Sequence, residues 1–212
     1  LGTNGPVAQG ESWTSFDPRI VLDYIVNDDV LVYGSVSSGY KAGGFNSDVT
    51  NSLASGLAQK LVPFDREEVT AYELGIKADF WDGRARVNAS VYYNDYTDFQ
   101  VETSSLAGIF IDNAATVEGK GFEVESTFLL SENFTLMANY SRIDATFKNT
   151  TINGVDVSGM QLQRAPENSG ALVASYVREF NSGELSVRGD YLFTDEVSFD
   201  TTDPTLKEDS YG

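Results

Sequence analysis

The sequence predicts an all-β fold, an antiparallel up-and-down transmembrane β-barrel segment of about eight strands, and three observations point there. The first is the stretch 66–100, where Tyr72, Leu74, Ile76, Ala78 and Phe80 fall on one face of an extended chain and Glu73, Gly75, Lys77 and Asp79 on the other. After a tight turn at Trp81-Asp82-Gly83, Ala85, Val87, Ala89, Val91 and Tyr93 share one face, opposite Arg84, Arg86, Asn88, Ser90, Tyr92 and Asn94. This is a long hairpin with one dry side and one wet side. The second observation is a recurrence: tight turns centre on Asp28, Asp82, Glu132 and Ser182, separated by 54, 50 and 50 residues. The third is an asymmetry. Opposite those turns the connections are mostly much longer, at 42–66, 148–165 and after 195, as in membrane-spanning barrels with short turns at one end and long loops at the other.

Composition narrows the function. With 14 Lys and Arg against 32 Asp and Glu, the formal net charge is −18, which argues against a nucleic-acid partner, where a basic footprint would supply the affinity. There is no Cys and no His, so disulfides, thiol chemistry, zinc sites built from those residues and His-based triads are excluded. No run of about 18 apolar residues is present, hence no transmembrane helix. Barrel strands alternate and never produce such a run, so a membrane stays open. The chain begins at Leu1-Gly2-Thr3 without a methionine or a charged leader before an apolar stretch, and is expected to be a fragment or a processed chain.

Along the chain, residues 1–12 read as loop. From Ser15 a first strand carries Ile20, Leu22, Tyr24 and Val26 in alternation and stops at Asn27-Asp28-Asp29. A second runs from Val30 to Lys41 with apolar residues on both faces, so its facing is undetermined. A long loop follows from 42 to the hairpin, whose second strand continues to Thr103. A connection at 105–108 leads into a strand in which Phe122, Val124, Ser126 and Phe128 oppose Glu123, Glu125 and Thr127, ending at Ser131-Glu132-Asn133. Phe134, Leu136, Ala138 and Tyr140 define the next strand, which frays into a polar loop at 148–163. Pro166 to Phe180 is a strand of undetermined facing. Leu185, Val187, Gly189, Tyr191 and Phe193 form the last strand, and 195–212 reads as loop.

Aromatic residues gather in two places, Phe80, Trp81, Phe128, Phe134 and Phe180 by the short turns and Tyr92, Tyr93, Tyr96 and Phe99 toward the far ends. Two such belts mark the two interfaces of a bilayer, although β propensity alone also enriches these residues.

Few constellations suggest chemistry. Glu123 and Glu125 stand roughly 6.5 to 7 Å apart along one side of a strand, a spacing used by inverting glycosidases, but two water-facing carboxylates are the plainer reading. Gly119-Lys120-Gly121 lacks the third glycine and the helix of a dinucleotide loop, which leaves a bent or bulged strand. Asp195, Glu196, Asp200, Asp203, Glu208 and Asp209 crowd the last loop without the spacing of a calcium loop, and read as a solvated acidic segment. Asn88, Asn133, Asn139 and Asn149 begin Asn-x-Ser/Thr triplets, mostly in or at the start of strands, where no glycan is expected. No catalytic, cofactor or metal site is assigned. For ligand binding, Tyr40, Lys41, Phe45, Asn46, Tyr96, Gln100, Glu102 and Asn113 lie at the loop ends of strands, a mixture of aromatic and polar groups that suits a bulky ligand. Their alternative role is barrel structure and aromatic belt.

Five local strings carry a family resemblance. They are residues 32–46 (VYGSVSSGYKAGGFN), 72–77 (YELGIK), 92–100 (YYNDYTDFQ), Asn113-Ala114, and 119–125 (GKGFEVE). In order and spacing they resemble the barrel of TonB-dependent outer-membrane receptors, and the resemblance covers nearly the whole chain. It implies a 22-stranded barrel closed by an N-terminal plug domain, in the outer membrane of a Gram-negative bacterium. It also implies import of a ferric siderophore or another scarce nutrient, with energy relayed by TonB. This sequence has no plug, no TonB box and only about eight of those strands, and it stops at Ser210-Tyr211-Gly212 in loop. The resemblance therefore implies a later, C-terminal-side part of a receptor barrel, in contact with outer-membrane lipid, reaching TonB only through a plug outside this chain, and not an enzyme. The long loops at 42–66, 148–165 and 195–212 are expected to select the ligand. Two other architectures fit the alternation. One is a closed eight-stranded barrel with a structural or adhesive role, which requires the first and last strands to pair. The other is a soluble carbohydrate-binding or hydrolytic β-sandwich, which requires Leu74, Ile76, Val87, Val91 and Phe122 to pack in a core.

Overall fold

A computed structural model describes residues 10–46, 62–105, 108–199 and 206–212. The expected loop at 1–9, most of the 42–66 loop, the centre of the 105–108 connection, and Asp200 and Asp203 lie outside these residues. Eight strands form one sheet: β1 (Arg19–Asn27), β2 (Val30–Lys41), β5 (Glu67–Phe80), β6 (Ala85–Ser105), β7 (Gly108–Ser131), β8 (Phe134–Lys148), β11 (Asn168–Phe180) and β12 (Gly183–Thr194). Their spatial order is their sequence order and every adjacent pair is antiparallel, an up-and-down sheet. Short ladders occupy three segments that the sequence reads as loop: β3 (Gly44–Asn46) with β4 (Val62–Phe64), β9 (Thr151–Ile152) with β10 (Val155–Asp156), and β13 (Val197–Ser198) with β14 (Lys207–Glu208). Two or three residues are too few to display a period of two. The first strand begins at Arg19 and not Ser15, because Pro18 has no N–H to offer a ladder; its carbonyl still accepts from Ser38 N at 2.9 Å.

Register settles which way each strand faces. Val32, Gly34 and Val36 sit opposite Ile76, Leu74 and Tyr72, so these β2 positions share the apolar face and Leu31, Tyr33 and Ser35 share the polar one. By the same alternation Leu172, Ala174 and Tyr176 of β11 lie on the apolar face, opposite Tyr191, Gly189 and Val187. The apolar face is uncovered. Leu74 is 56 % exposed and Val91 54 %, and among the described residues no second sheet lies over them, which removes the sandwich. The closed eight-stranded barrel fails too, since β1 and β12 are opposite edges with no ladder between them. From Tyr72 to Phe80 the apolar band covers about 26 Å of strand, the run of about 9 to 11 residues that a tilted strand needs to cross a bilayer.

Two tyrosines lie flat against the polar face because the strand beside each has a glycine. A Cβ on Gly75 would stand 2.5 Å from Tyr33 Cε1, and one on Gly121 would stand 2.6 Å from Tyr92 Oη and would collide with the Arg142 carbonyl oxygen. The expected bulge at 119–121 is therefore absent: Gly119, Lys120 and Gly121 pair in regular register on both sides. The glycine admits a ring and does not bend the strand. Register shifts fall instead between Tyr96 and Gln100, where Asp98 takes φ 53°, and between Leu129 and Ser131.

Candidate functional site

The apolar face is framed at both ends. By the short turns, Trp81 and Phe128 rings meet at 5.9 Å, and Phe80 and Phe180 are exposed beside them. At the other end Tyr72 pairs with Tyr93 at 6.2 Å, and Phe122, Tyr140, Phe193 and Tyr191 form a continuous row with centroids 5.6, 6.2 and 6.4 Å apart. The far belt thus keeps only Tyr93 of the four residues expected there. Tyr92 and Tyr96 differ from Tyr93 by odd numbers of residues, so they face the opposite side; Tyr92 lies over Gly121, while Tyr96 and Phe99 join a core on the polar face.

The polar face is wet and charged. Tyr33 Oη donates to Glu73 Oε1 at 2.5 Å, Lys77 Nζ sits 5.7 Å from the Tyr33 ring centre, and Arg86 grips both carboxylate oxygens of Asp79 at 2.7 and 2.8 Å. Glu123 and Glu125 are exposed on this side, as carboxylates in water.

At the loop end the polar face acquires its own core. Val117, Phe147 and Val157 are 0, 1 and 0 % exposed, and Val101, Ala115 and Ile152 complete the cluster. The segment 149–162 folds onto the projecting ends of β6, β7 and β8. Phe147 N donates to Met160 O at 3.0 Å, Gly159 N to Phe147 O at 2.8 Å and Leu162 N to Ala145 O at 2.7 Å. Burial, and next the charge of Glu67, raises the Tyr96 phenol above its usual value. Ser158, through its hydroxyl and its N–H, holds Asp156 below the usual carboxylate range.

Beside this core the stem of the 42–66 segment is pinned by amides. Gln100 Nε2 donates to Ala42 O at 3.0 Å and Asp65 O at 3.1 Å, while its N–H donates to the buried Glu67 Oε2 at 2.9 Å. Asn113 Nδ2 donates to Asp65 O at 2.9 Å and Asp98 O at 2.8 Å, and its Oδ1 accepts from Asp65 N at 2.6 Å. Asn46 exchanges two hydrogen bonds with the Ile111 backbone. Gly43 and Gly44 allow the close packing beneath: a Cβ would stand 2.5 Å from Trp13 at the first and 2.6 Å from Phe64 at the second.

The eight candidate ligand residues therefore separate. Asn46, Gln100 and Asn113 come together as backbone clamps. Tyr96 packs edge-on against Phe99 at 5.7 Å, and Phe45 against Trp13 at 6.1 Å. Tyr40 lies on the same face as Val32 and Val36. Lys41, with its side chain 62 % exposed and 3.9 Å from Glu67, and Glu102, also exposed, remain open to solvent. The sequence reading missed Trp13, Glu67 and the Phe147–Val157 core; Ala145 and Phe147 lie on the face of β8 opposite Leu136 and Ala138, so they fall outside the alternation that marks this strand. In the acidic tail, Asp195 Oδ2 accepts from Asn168 Nδ2 and Glu196 Oε1 contacts Lys207 Nζ, each at 2.5 Å. Among the described residues no group of three or more Asp and Glu is disposed to hold a metal ion.

Comparison with known proteins agrees with this architecture. The sequence profile described as TonB dependent receptor-like, beta-barrel matches residues 2–212. The metal-pseudopaline receptor CntO of Pseudomonas aeruginosa is 27 % identical over 168 residues, covering 79 % of this chain and 21 % of that protein. The pesticin receptor of Yersinia enterocolitica is 28 % identical over 144 residues, 66 % of this chain and 20 % of that protein. The chain thus spans about a fifth of the length of these curated relatives. Among solved structures, the ferric yersiniabactin uptake receptor FyuA from Yersinia pestis superposes with a TM-score of 0.74 at 23 % identity, over 91 % of this chain and 28 % of that one. The preacinetobactin receptor BauA from Acinetobacter baumannii superposes at 0.69 and 18 % identity, over 92 % and 28 %. An open antiparallel sheet with an aromatic-framed apolar face, matched by that profile from end to end, places the chain in the β-barrel domain of the TonB-dependent receptor family.

Proposed function

We propose that this chain forms part of the wall and mouth of an outer-membrane receptor in a Gram-negative bacterium, one that takes up a ferric siderophore or another scarce nutrient as a transporter and not as an enzyme. Residues 1–212 act as one portion of the barrel domain, further strands pair with β1 and β12, and a plug domain outside this chain links the receptor to TonB. One observation supports this reading above the others. The sheet has a lipid-height apolar face bounded by two aromatic rows and a polar face on the other side, which suits a wall between bilayer and channel. The relatives named as metal-chelate receptors support the cargo class.

Within the mouth, Lys41, Phe45 and Glu102 meet the ligand, while Asn46, Gln100 and Asn113 hold the segment that presents it and Tyr96 stiffens the wall below. The test is uptake of radiolabelled iron, supplied as a panel of ferric siderophores, by cells that carry the full receptor gene or its deletion. Loss of uptake of at least one chelate on deletion, restored by the gene and dependent on TonB, is the expected outcome. Unchanged uptake of every chelate, with growth under metal limitation also unchanged, would remove the proposal.

A further inference from the structure

Two Asn-Gly steps occur in the sequence; Asn4-Gly5 lies outside the described residues, and Asn153-Gly154 forms the turn of the short β9–β10 hairpin. Ile152 pairs with Val155, Asn153 takes φ 51° and Gly154 φ 81°, the left-handed pair of a two-residue type I′ turn. Both turn residues are exposed, and a Cβ on Gly154 would meet nothing within 4 Å. Other asparagine amides are held: Asn27 Oδ1 accepts from Asp29 N at 2.9 Å, and the side chains of Asn46, Asn113 and Asn168 donate to backbone or carboxylate oxygens. Among the described residues, neither the Asn153 side chain nor the Gly154 N–H has a hydrogen bond. An unrestrained carboxamide thus stands beside an unrestrained backbone N–H, and glycine has no side chain to shield it.

We propose that Asn153 is a site of spontaneous, one-way deamidation that unlatches the segment 149–162. The Gly154 nitrogen attacks Asn153 Cγ: a new N–Cγ bond forms, the Cγ–Nδ2 bond breaks, and the N–H proton leaves with Nδ2 as ammonia. The resulting cyclic imide then takes up one water. Water adding at Cγ gives aspartate, which suits the same turn. Water adding at the main-chain carbonyl gives isoaspartate, in which the backbone runs on through Cβ and Cγ. That product inserts an extra carbon into a turn whose flanks are fixed. Ile152 is 3 % exposed in the core with Phe147 and Val157, and the hairpin base is tied by Val157 N to Thr150 O and Thr150 N to Ser158 Oγ, each at 3.0 Å. A lengthened turn cannot keep Ile152 both opposite Val155 and inside that core, so the segment lifts off Phe147. The chemistry depends on this chain alone; that it alters a ligand-selecting mouth rests on the receptor reading above.

The experiment incubates the full, folded receptor for days at mildly alkaline pH. Peptide mass spectrometry locates aspartate and isoaspartate, labelling by protein isoaspartyl methyltransferase counts the latter, and hydrogen exchange reports on 149–162. Because only Asn153 among these sites is followed by a residue without a Cβ, it is expected to convert at least about tenfold faster than Asn133, Asn149 or Asn181. Exchange at 149–162 should quicken in proportion to the isoaspartate formed. Gly154→Asn places a Cβ in open space on a residue that tolerates the left-handed turn, and should suppress the labelling while the loop stays closed. Asn153→Asp, which carries the new charge without the extra backbone carbon, should be as protected as the unaltered receptor when fresh. Conversion at Asn153 no faster than at the other asparagines, or isoaspartate that accumulates with protection intact, overturns the proposal. Either result leaves the receptor reading standing, since uptake of ferric siderophores tests that separately.

Discussion

Asn46 and Ile111, 65 residues apart in sequence, exchange two hydrogen bonds: Asn46 Nδ2 donates to Ile111 O at 2.9 Å and Ile111 N donates to Asn46 Oδ1 at 2.7 Å. The side-chain amide imitates a backbone peptide and extends the ladder of β7 sideways onto the short β3–β4 hairpin. Removing it leaves the Ile111 donor and acceptor without partners in a part-buried place, where the cost is at most about 1 to 3 kcal/mol for each group. Asn46→Ala is therefore expected to speed hydrogen exchange at 42–46 and 62–66 by 10-fold or more. Exchange in β5 to β8 below stays unchanged, as mass spectrometry of the two peptide sets would show.

Phe147 makes a matching prediction for the second loop. It is 1 % exposed and ties 149–162 to the wall through packing and two backbone hydrogen bonds. Phe147→Ala removes the ring and opens a cavity, a loss of about 3 to 5 kcal/mol felt by this small core and not by the strands that span the membrane. Limited proteolysis should then cut at 153–159 in the variant and spare the unaltered protein, with both keeping the same melting temperature of the folded band.

The two glycines beneath tyrosine rings should tolerate a methyl group differently. At Gly75 the obstacle is the Tyr33 ring, which can swing away, whereas at Gly121 it includes the Arg142 backbone carbonyl, which cannot. Gly121→Ala is expected to destabilise by about 1 to 3 kcal/mol and Gly75→Ala by clearly less. Urea unfolding in vesicles distinguishes them, and equal midpoints would contradict the packing described.

Adjacent residues Glu73 and Leu74 report which side is lipid. Leu74→Arg places a charge on the apolar band about 7 Å in from the Tyr72 row, at a cost of at most about 2 to 4 kcal/mol. Glu73→Arg changes a water-facing position and should cost little beyond the Tyr33 hydrogen bond. Folding yield in vesicles should fall for the first and hold for the second.

The Glu118–Lys148 pair has a defined pH window. The Lys148 contact lowers the Glu118 carboxyl and the same contact raises the Lys148 ammonium. The carboxylate's contribution is fully present above its unfolded value near pH 4 and is lost as pH falls through the lowered folded value. The ammonium's contribution is present below its unfolded value near pH 10 and is lost as pH rises through the raised folded one. Exchange rates at 116–120, corrected for intrinsic pH dependence, should therefore stay level between about pH 5 and 9 and rise both below that window in acid and well above it in base. Glu118→Gln should remove the acid limb.

The alternation from Tyr72 to Tyr93 carries enough information to reveal the sheet, its turn and its dry face, because burial on one side of a strand imposes a period of two directly on the sequence. The facing of β2 and β11 was not legible, since Leu31 and Val173 place apolar side chains on the polar face and blur that period. The functional end was legible only as a set of residue types. Gln100 and Asn113 look like ligand contacts because buried amides and exposed amides are written with the same letter. Only the positions of Ala42, Asp65 and Asp98 reveal that their hydrogen bonds go to the backbone. The Phe147 core escaped for a different reason: its partners Ile152 and Val157 come from a segment with no regular period, so nothing local announces that they meet.

Gln100 holds Ala42 and Asp65 with one amide group, and so fastens both feet of an excursion whose two ends are 23 positions apart in the chain. The two ends are thus fixed to each other independently of the length of chain between them, so an insertion between the feet, whether an epitope tag or a foreign loop, is expected to leave the wall undisturbed as long as Gly43, Asn46 and the two carbonyls are kept.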